Sequence, residues 1–251
     1  MLQLPTSHAC PPEAPPVSAL LECAEPRTDV DRVYNQIFDA VMDRRLLPGA
    51  KLTESALCSI FSCSRATVRG ALAELAHNHI VTIEPNRGAF VARPGPKEMQ
   101  DVFDMRRAIE NIVIDRLLQL PDLPQRLEPL YAMVAQEQAA FGRGDRISWI
   151  RLSNAFHVRL AALVNNDVLN EMMHSLCART TIIIAQQDAP ADSTCSYQEH
   201  KHILDQLCTG DRDGVRHAMH HHLRDCEQRI HEPAGPAADP WAAFAIQPLR
   251  P

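Results

Sequence analysis

The tripeptide Pro94-Gly95-Pro96 breaks every regular hydrophobic pattern in the chain. Two prolines around a glycine cannot continue a helix or a central strand, so they predict a boundary between two folding units. A chain of 251 residues is long enough for two separate cores. The proline-rich ends, 1–28 and 232–251, have no sustained period and are expected to be disordered tails. We therefore expect two folded units, 29–94 and 97–231.

The first unit begins with a helical pattern and continues with two shorter ones. Apolar residues recur at helical spacing from Val30 to Val41. Thr53 and Ser64 are residue types that cap helix N-termini, and each precedes a short amphipathic segment. Only Ser62-Cys63 separates these two segments, which is the proportion of a helix-turn-helix.

Two strand patterns complete the first unit. They cover 80–83 and 89–91, and Pro85-Asn86-Arg87-Gly88 between them predicts a tight turn. A helix-turn-helix followed by a hairpin is a winged helix. The second unit has helical periodicity throughout, in the segments 98–119, 125–141, 145–164, 167–187, 197–209 and 212–230. The expected fold class is mainly α: an N-terminal winged helix-turn-helix and a C-terminal all-helical antiparallel bundle.

Charge and composition limit the possible partners. The formal net charge is -6, yet residues 27–94 hold nine basic and seven acidic side chains, so this segment can approach phosphates without strong repulsion. The chain has neither an apolar run of about 18 residues nor a signal-peptide pattern, so we expect no membrane segment and a cytoplasmic location. The eight cysteines form no Cys-x-x-Cys pair and are expected to be reduced, packed thiols.

Basic residues lie where a winged helix would read DNA. Arg65 and Arg69 are one turn apart on the face opposite the apolar positions of the third helix, and Ser64 caps the end of that helix which attracts phosphate. Such an arginine pair can enter a major groove. Arg87 at the hairpin tip can reach the backbone or the minor groove, and Gly88 permits close approach. Arginines that merely solvate the helix face are the alternative.

Three motifs in order resemble the GntR family of regulators: Leu47-Pro48-Gly49-Ala50-Lys51-Leu52-Thr53-Glu54, then Ser64-Arg65-Ala66-Thr67-Val68-Arg69-Gly70-Ala71-Leu72, then Pro85-Asn86-Arg87-Gly88. The resemblance covers almost the whole first unit and adds Thr67 to the expected DNA contacts. It implies a homodimer on a pseudo-palindromic double-stranded operator. Two positions depart from the family: Gly70 replaces a frequent acidic residue, and His79 replaces a glycine after the helix.

Three histidines of the second unit lie on the apolar stripes of their own helices: His157, His200 and His222. One such histidine is usually a satisfied core residue, but three from three helices indicate a metal or ligand site. Arg106 and Glu110 also lie on an apolar stripe, which indicates either an internal ion pair or an arginine that presents its planar guanidinium to the carboxylate of a ligand.

The second unit resembles the FCD ligand-binding domain of the FadR subfamily, and its six helices resemble the VanR-type branch. The supporting residues are Arg106-Arg107-Ala108-Ile109-Glu110, Phe156-His157, Glu199-His200-x-x-Ile203-Leu204, Gly210-Asp211 and Met219-x-x-His222-Leu223. Metal-binding relatives add an aspartate where this chain has Ser153, so the resemblance implies a weakened site for zinc, nickel or manganese. It also implies a small organic-acid effector, contacted by Arg106, Ser153 and the three histidines.

We interpret the chain as a regulator rather than an enzyme, most simply a repressor controlled by that effector. A metal-dependent enzyme is one alternative, because three histidines with Glu199 nearby can activate water. The adjacent Glu199 is, however, expected to face away from His200 on the helix. A dimeric adaptor that senses nothing is the other alternative. We expect the effector signal to pass through the helix that begins after Pro94-Gly95-Pro96, since it joins the wing to the bundle and carries Arg106.

Overall fold

The computed structural model describes residues 28–185 and 196–228. The first unit contains α1 (Asp29–Met42), β1 (Lys51–Leu52), α2 (Glu54–Phe61), α3 (Arg65–His77), β2 (Val81–Glu84) and β3 (Gly88–Val91). The second contains α4 (Pro96–Leu117), α5 (Leu123–Gly142), α6 (Arg146–Ala162), α7 (Asp167–Ala185), α8 (Ser196–Thr209) and α9 (Arg212–Gln228). None of the helices described is long and apolar enough to cross a membrane.

The predicted tails lie outside the described residues, except that Thr28 belongs to the folded unit. Its side chain accepts a hydrogen bond from the Asp31 backbone N–H, and the Asp31 carboxylate accepts one from the Thr28 N–H. This reciprocal capping box satisfies two backbone donors that the first turn of α1 would otherwise leave unpaired.

Two residues form the turn of the helix-turn-helix: a left-handed residue that ends α2 and an N-cap residue that begins α3. Ser62 ends α2 with φ +50°, and two residues later Ser64 caps α3 by accepting a hydrogen bond from the Thr67 N–H at 3.1 Å. The reversal brings Leu57 of α2 and Val68 of α3 into one buried core with Ile37 of α1. His79, which replaces the family's glycine, has φ +57° and ends the turn after α3.

The wing is a three-stranded antiparallel sheet in the order β1-β3-β2. β2 and β3 form the predicted hairpin, with Glu84 opposite Gly88, and Asn86 and Gly88 both have positive φ in its turn. Strand β1 was not predicted. It is only two residues long, Lys51 opposite Phe90 and Leu52 opposite Ala89, which is too short for an alternating pattern to reveal.

The second unit is the predicted six-helix bundle, so the fold class is confirmed. Its core contains fully buried aromatic and aliphatic side chains from every helix, among them Phe103 of α4, Phe156 of α6 and Leu204 of α8. Polar side chains lie within this apolar interior, and they form the centre described below.

The most extensive packing between the two units runs from α6 and α7 onto α1. Ile150 of α6 is 1 % exposed and belongs to the winged-helix core rather than to the bundle core. Arg146 donates hydrogen bonds to the carbonyls of Met42 and Ala185, both at 3.1 Å. Arg151 forms an ion pair with Asp39 at 2.6 Å and lies over the Phe38 ring. Helix α6 therefore belongs to both cores.

Candidate nucleic-acid interface and buried histidine centre

The N-terminus of α3 presents a capped, solvent-facing turn. The Ser64 hydroxyl lies 2.9 Å from the Thr67 hydroxyl and accepts a hydrogen bond from the Thr67 N–H, so the two predicted contact residues form one cap. Arg65 directly after it is exposed. The free N–H groups of this turn and the positive end of the helix dipole can hold a phosphate oxygen.

Arg69 extends the same surface toward α2. Its Nε donates a hydrogen bond to Glu54 Oε1 at 2.8 Å, and the Arg69 side chain is 67 % exposed. This hydrogen bond lowers the pKa of Glu54, so the carboxylate is ionised and accepts from the guanidinium. Glu54 therefore orients Arg69 on the surface, while most of the guanidinium stays open to a partner.

A groove of about 500 Å³ lies between α3 and the wing. Arg69, Lys51 and Arg87 line it, together with Gly88 at the hairpin turn. Arg87 pairs with Glu84, and both Arg87 and Lys51 lie over the Phe90 ring, at 5.4 and 5.8 Å from its centroid. Sequence reasoning missed Lys51, because it joins the groove only through the pairing of β1 with β3. Three basic side chains around one groove suit a phosphodiester backbone.

The three stripe histidines of the second unit meet in its interior. His157, His200 and His222 come from α6, α8 and α9, and each is at most 2 % exposed. His222 Nε2 lies 3.2 Å from His157 Nε2 and 3.3 Å from His200 Nε2. Two nitrogens bound at about 2.0–2.1 Å from zinc at a tetrahedral angle lie about 3.3–3.4 Å apart. The donor set and its spacing fit a metal ion.

Each histidine has a carboxylate behind it. His200 Nδ1 lies 2.7 Å from Glu137 Oε2, and His222 Nδ1 lies 2.7 Å from Glu199 Oε2. His157 Nδ1 lies 2.8 Å from Glu110 Oε1, in a direction that does not complete a hydrogen bond.

Glu199, which we expected to face away from the adjacent His200, contacts His222 of α9. The expectation did not foresee that Glu199 would join the histidine centre through this second helix.

Glu137 was missed by sequence reasoning, although a signal existed. It lies on the apolar stripe of α5 with Leu130, Met133, Val134 and Ala140, just as the histidines lie on theirs. Its carboxylate is 1 % exposed, and its second oxygen accepts a hydrogen bond from the Ser196 hydroxyl. Trp149 Nε1 donates to that hydroxyl at 2.9 Å, so α5, α6 and α8 are joined by one buried polar chain.

Arg106 and Glu110 form the predicted ion pair, with Arg106 NH2 at 2.9 Å from Glu110 Oε1. Burial opposes ionisation of Glu110, but His157 and Arg106 outweigh it and lower the pKa of this carboxyl to about 2. Arg106 Nε is buried and has no hydrogen-bond partner among the residues that the structure describes. Burial and the Arg106 charge also lower the pKa of His157, and burial lowers that of His200, so these two imidazoles are neutral at pH 7. Burial opposes the charge on His222 as well, but Cys226 and Glu199 outweigh it and raise the pKa of His222 to about 10, so a metal ion would have to displace its proton. Neutral imidazoles are the form that binds metal.

Ser153, the predicted fourth position, is buried one turn before His157 on α6. The neighbouring Asn154 donates its side-chain amide to the Ile150 carbonyl at 3.1 Å and lines a different space, a cleft between the two units. The cysteine expected to be a packed thiol, Cys226, lies at the edge of the centre, with Sγ 3.9 Å from His222 Nε2.

Comparison with known proteins gives two family matches. Residues 29–91 match the model described as bacterial regulatory proteins, gntR family, and residues 101–225 match the FCD domain. An HTH-type transcriptional regulator in an unstable DNA locus of Streptomyces ambofaciens is 31 % identical over 222 residues, which are 82 % of this chain and 89 % of that protein. The HTH-type transcriptional repressor RspR of Escherichia coli strain K12 is 23 % identical over 202 residues, with coverage of 80 % and 88 %.

A solved structure supports the same similarity. The crystal structure of a putative transcriptional regulator GntR from Rhodococcus sp. RHA1 superposes with a TM-score of 0.67 at 25 % identity. The superposition covers 80 % of this chain and 96 % of the Rhodococcus chain.

The first testable prediction concerns the cap of α3. Ser64→Ala removes the side-chain acceptor of the Thr67 N–H and should lower the free energy of unfolding by about 1 kcal/mol. The matched control is Thr53→Ala, because Thr53 occupies the N-cap of α2 without a side-chain cap hydrogen bond and should lose less. Urea denaturation of both variants measures the difference. Equal losses would contradict the capping role of Ser64.

Proposed function

Because the chain belongs to the GntR family of bacterial regulatory proteins and carries an FCD domain, we propose that it is a transcriptional repressor whose operator affinity is set by a small organic acid. The observation that carries the DNA-binding part is the groove between α3 and the wing. Lys51, Arg69 and Arg87 line this groove, and the capped N-terminus of α3, with the exposed Arg65, belongs to the same helix as Arg69. Repression is favoured by the name of a relative, the E. coli repressor RspR.

The proposed DNA complex is a homodimer on a pseudo-palindromic operator. One recognition helix reads only a few base pairs, and a two-fold dimer reads two half-sites. In this complex α3 enters the major groove with Arg65 and Arg69 toward the bases, while Ser64 and Thr67 hold the backbone. Arg87 and Gly88 approach from the wing. Such a regulator acts where the chromosome is, in the cytoplasm.

The proposed sensor is the histidine centre. His157, His200 and His222 would hold a divalent ion, zinc, nickel or manganese, through their Nε2 atoms. A bound ion would supply positive charge that attracts the carboxylate of an acid. Arg106 supports the same chemistry, because its buried Nε–H has no acceptor within 28–185 and 196–228, and a ligand carboxylate would provide one. Ser153 lines the same side of α6 as His157 and would contact the effector.

An enzyme is the less favoured alternative. Metal-assisted hydrolysis needs a base that takes a proton from water. The acidic side chains around the histidines already contact their Nδ1 atoms, and a winged helix serves no purpose in such an enzyme. An adaptor that only dimerises would not need a buried polar centre. The alternatives separate in one experiment, since an enzyme consumes the compound and an adaptor does not respond to it.

The DNA interface is tested by removing the two arginines of α3. Arg65→Ala and Arg69→Ala should each abolish specific binding to a duplex selected from a random pool, as measured by fluorescence anisotropy, because each removes a contact to base edges. Arg116→Ala is the control, an exposed arginine on the outer face of α4. Retained specific affinity in both α3 variants would overturn the assignment of α3.

The metal site is tested by truncating one histidine. The purified protein should contain or take up a divalent ion and gain thermal stability from it, because an ion that binds the folded state stabilises it. His200→Ala should lose most of this ion, whereas His202→Ala, an exposed histidine on the same helix, should retain it. Metal analysis and melting temperatures give the answer. If wild-type protein takes up no ion, the three histidines would instead bind the effector directly by hydrogen bonds.

The effector is tested through Arg106. Small carboxylic acids would first be screened for a rise in melting temperature, and an acid that binds should weaken operator affinity by about 5-fold to 150-fold. Arg106→Lys keeps the buried charge beside Glu110 but loses the planar donor fork, so it should bind the operator normally and respond weakly to the acid. Arg107→Lys is the control, since Arg107 pairs with Asp104 and Glu227 near the surface. A normal response of Arg106→Lys would show that Arg106 serves Glu110 alone.

A further inference from the structure

We propose that Glu110, Glu137 and Glu199 form an outer carboxylate ring which lets three imidazoles hold a divalent ion without a carboxylate ligand, and that Ser153 thereby selects zinc or nickel over manganese. This inference rests on the metal-binding part of the proposed function. It assigns a role to three acidic side chains that lie behind the histidines rather than among the ligand atoms.

Two members of this ring determine which nitrogen of His200 and of His222 faces the centre. An ionised carboxylate can only accept hydrogen bonds, so a neutral imidazole beside it carries its proton on Nδ1. Glu137 and Glu199 lie 2.7 Å from the Nδ1 atoms of His200 and His222. The lone pairs of both Nε2 atoms are then directed toward each other, 3.3 Å apart. A histidine whose distal nitrogen is held by a carboxylate is also the more basic ligand.

The ring supplies the charge that the missing aspartate would have supplied. When all three imidazoles are in the neutral form that binds metal, the three carboxylates and the Arg106 guanidinium around them carry two net negative charges. Glu110 and Glu137 are at most 1 % exposed, so these charges are poorly solvated and unfavourable unless compensated. A divalent cation at the Nε2 atoms neutralises the whole centre. The family's aspartate would add a third negative charge to this interior.

The ligand atoms then determine the preferred ion. Three imidazole nitrogens suit zinc, nickel and copper, whereas manganese favours carboxylate and other oxygen ligands and is the weakest binder in the divalent series. Ser153 offers only a neutral hydroxyl at the position one turn before His157. Glu137 and Glu199 cannot substitute as direct ligands while they contact the Nδ1 atoms of His200 and His222, on the far side of each imidazole. We therefore expect zinc and nickel to bind much more tightly than manganese.

The outer ring is tested with Glu137→Gln in the full-length protein. The substitution keeps the shape of the side chain but removes its charge, and it should weaken Zn²⁺ affinity by about 10-fold to 100-fold, as other outer partners of metal-binding histidines do. Glu128→Gln is the matched control, an exposed glutamate on the same helix. Glu199→Gln provides a second variant on another helix, in case Glu137→Gln alters folding. Competition with a chromophoric chelator measures affinity, and circular dichroism checks the fold.

The selectivity is tested with Ser153→Asp. The added carboxylate should lower the ratio of Zn²⁺ to Mn²⁺ affinity by at least about tenfold. Loss of an outer partner already changes metal affinity by about tenfold or more, and a direct ligand should have an effect at least as large. An unchanged ratio would overturn the role of Ser153. If wild-type protein binds Zn²⁺ but Glu137→Gln and Glu199→Gln both bind it as tightly as Glu128→Gln, the outer ring is wrong while the metal site stands. If wild-type protein binds neither ion, the metal site itself is wrong.

Discussion

The burial of charge in the helical unit is the constraint on which the arrangement of its helices depends. Arg106 and Glu110 are almost completely inaccessible and 2.9 Å apart, and a buried ion pair repays its desolvation only when its remaining donors and acceptors are also used. His157 Nδ1 lies beside the same Glu110 oxygen that Arg106 contacts, and His222 joins His157 to His200 and its partner Glu137. Every added partner comes from a different helix, so this polar network brings five of the helices described to one point. An apolar core would tolerate small shifts of these helices, but a polar network with fixed donor directions does not.

The metal ion and the acidic ligand of the proposed function would use complementary groups of the same centre. The Nε2 atoms present electron pairs that need a cation or a proton, and Arg106 Nε presents a buried donor that needs an acceptor. A metal ion would accept the electron pairs of the Nε2 atoms, and a carboxylate bound to that ion would accept the hydrogen bond from Arg106 Nε. The interior is therefore complementary to a metal carboxylate, which is how an organic acid could be sensed in a site that lacks the family's aspartate.

Sequence patterns predicted the elements well but predicted the side-chain partnerships unevenly. Periodicity located the helices and the hairpin, because each has an apolar face long enough to show its repeat. The same stripes correctly placed the three histidines and Arg106 inside. They failed for Lys51, since a two-residue strand has no period, and for Glu199, whose partner lies on another helix. Glu137 could have been found by applying to acidic residues the test that was applied to histidines. Partnerships between helices depend on how the helices pack, and no single helix pattern contains that information.

The route from the centre to the DNA-binding unit follows from where α6 is anchored. We expected α4 to carry the signal because it follows the wing directly in sequence, yet the more extensive packing on α1 comes from α6 and α7. Helix α6 carries His157 in the centre and, about 10 Å earlier along its axis, Ile150 in the winged-helix core. Arg151 of α6 forms an ion pair with Asp39 of α1 and lies over the Phe38 ring. If α6 moves, either α1 moves with it or this partly buried ion pair breaks. A ligand changes DNA affinity only by the difference in its affinity for the two arrangements. A ligand that rotates or shifts His157 acts on a helix that contributes to both cores, and through α1 this helix connects the centre to the recognition helix.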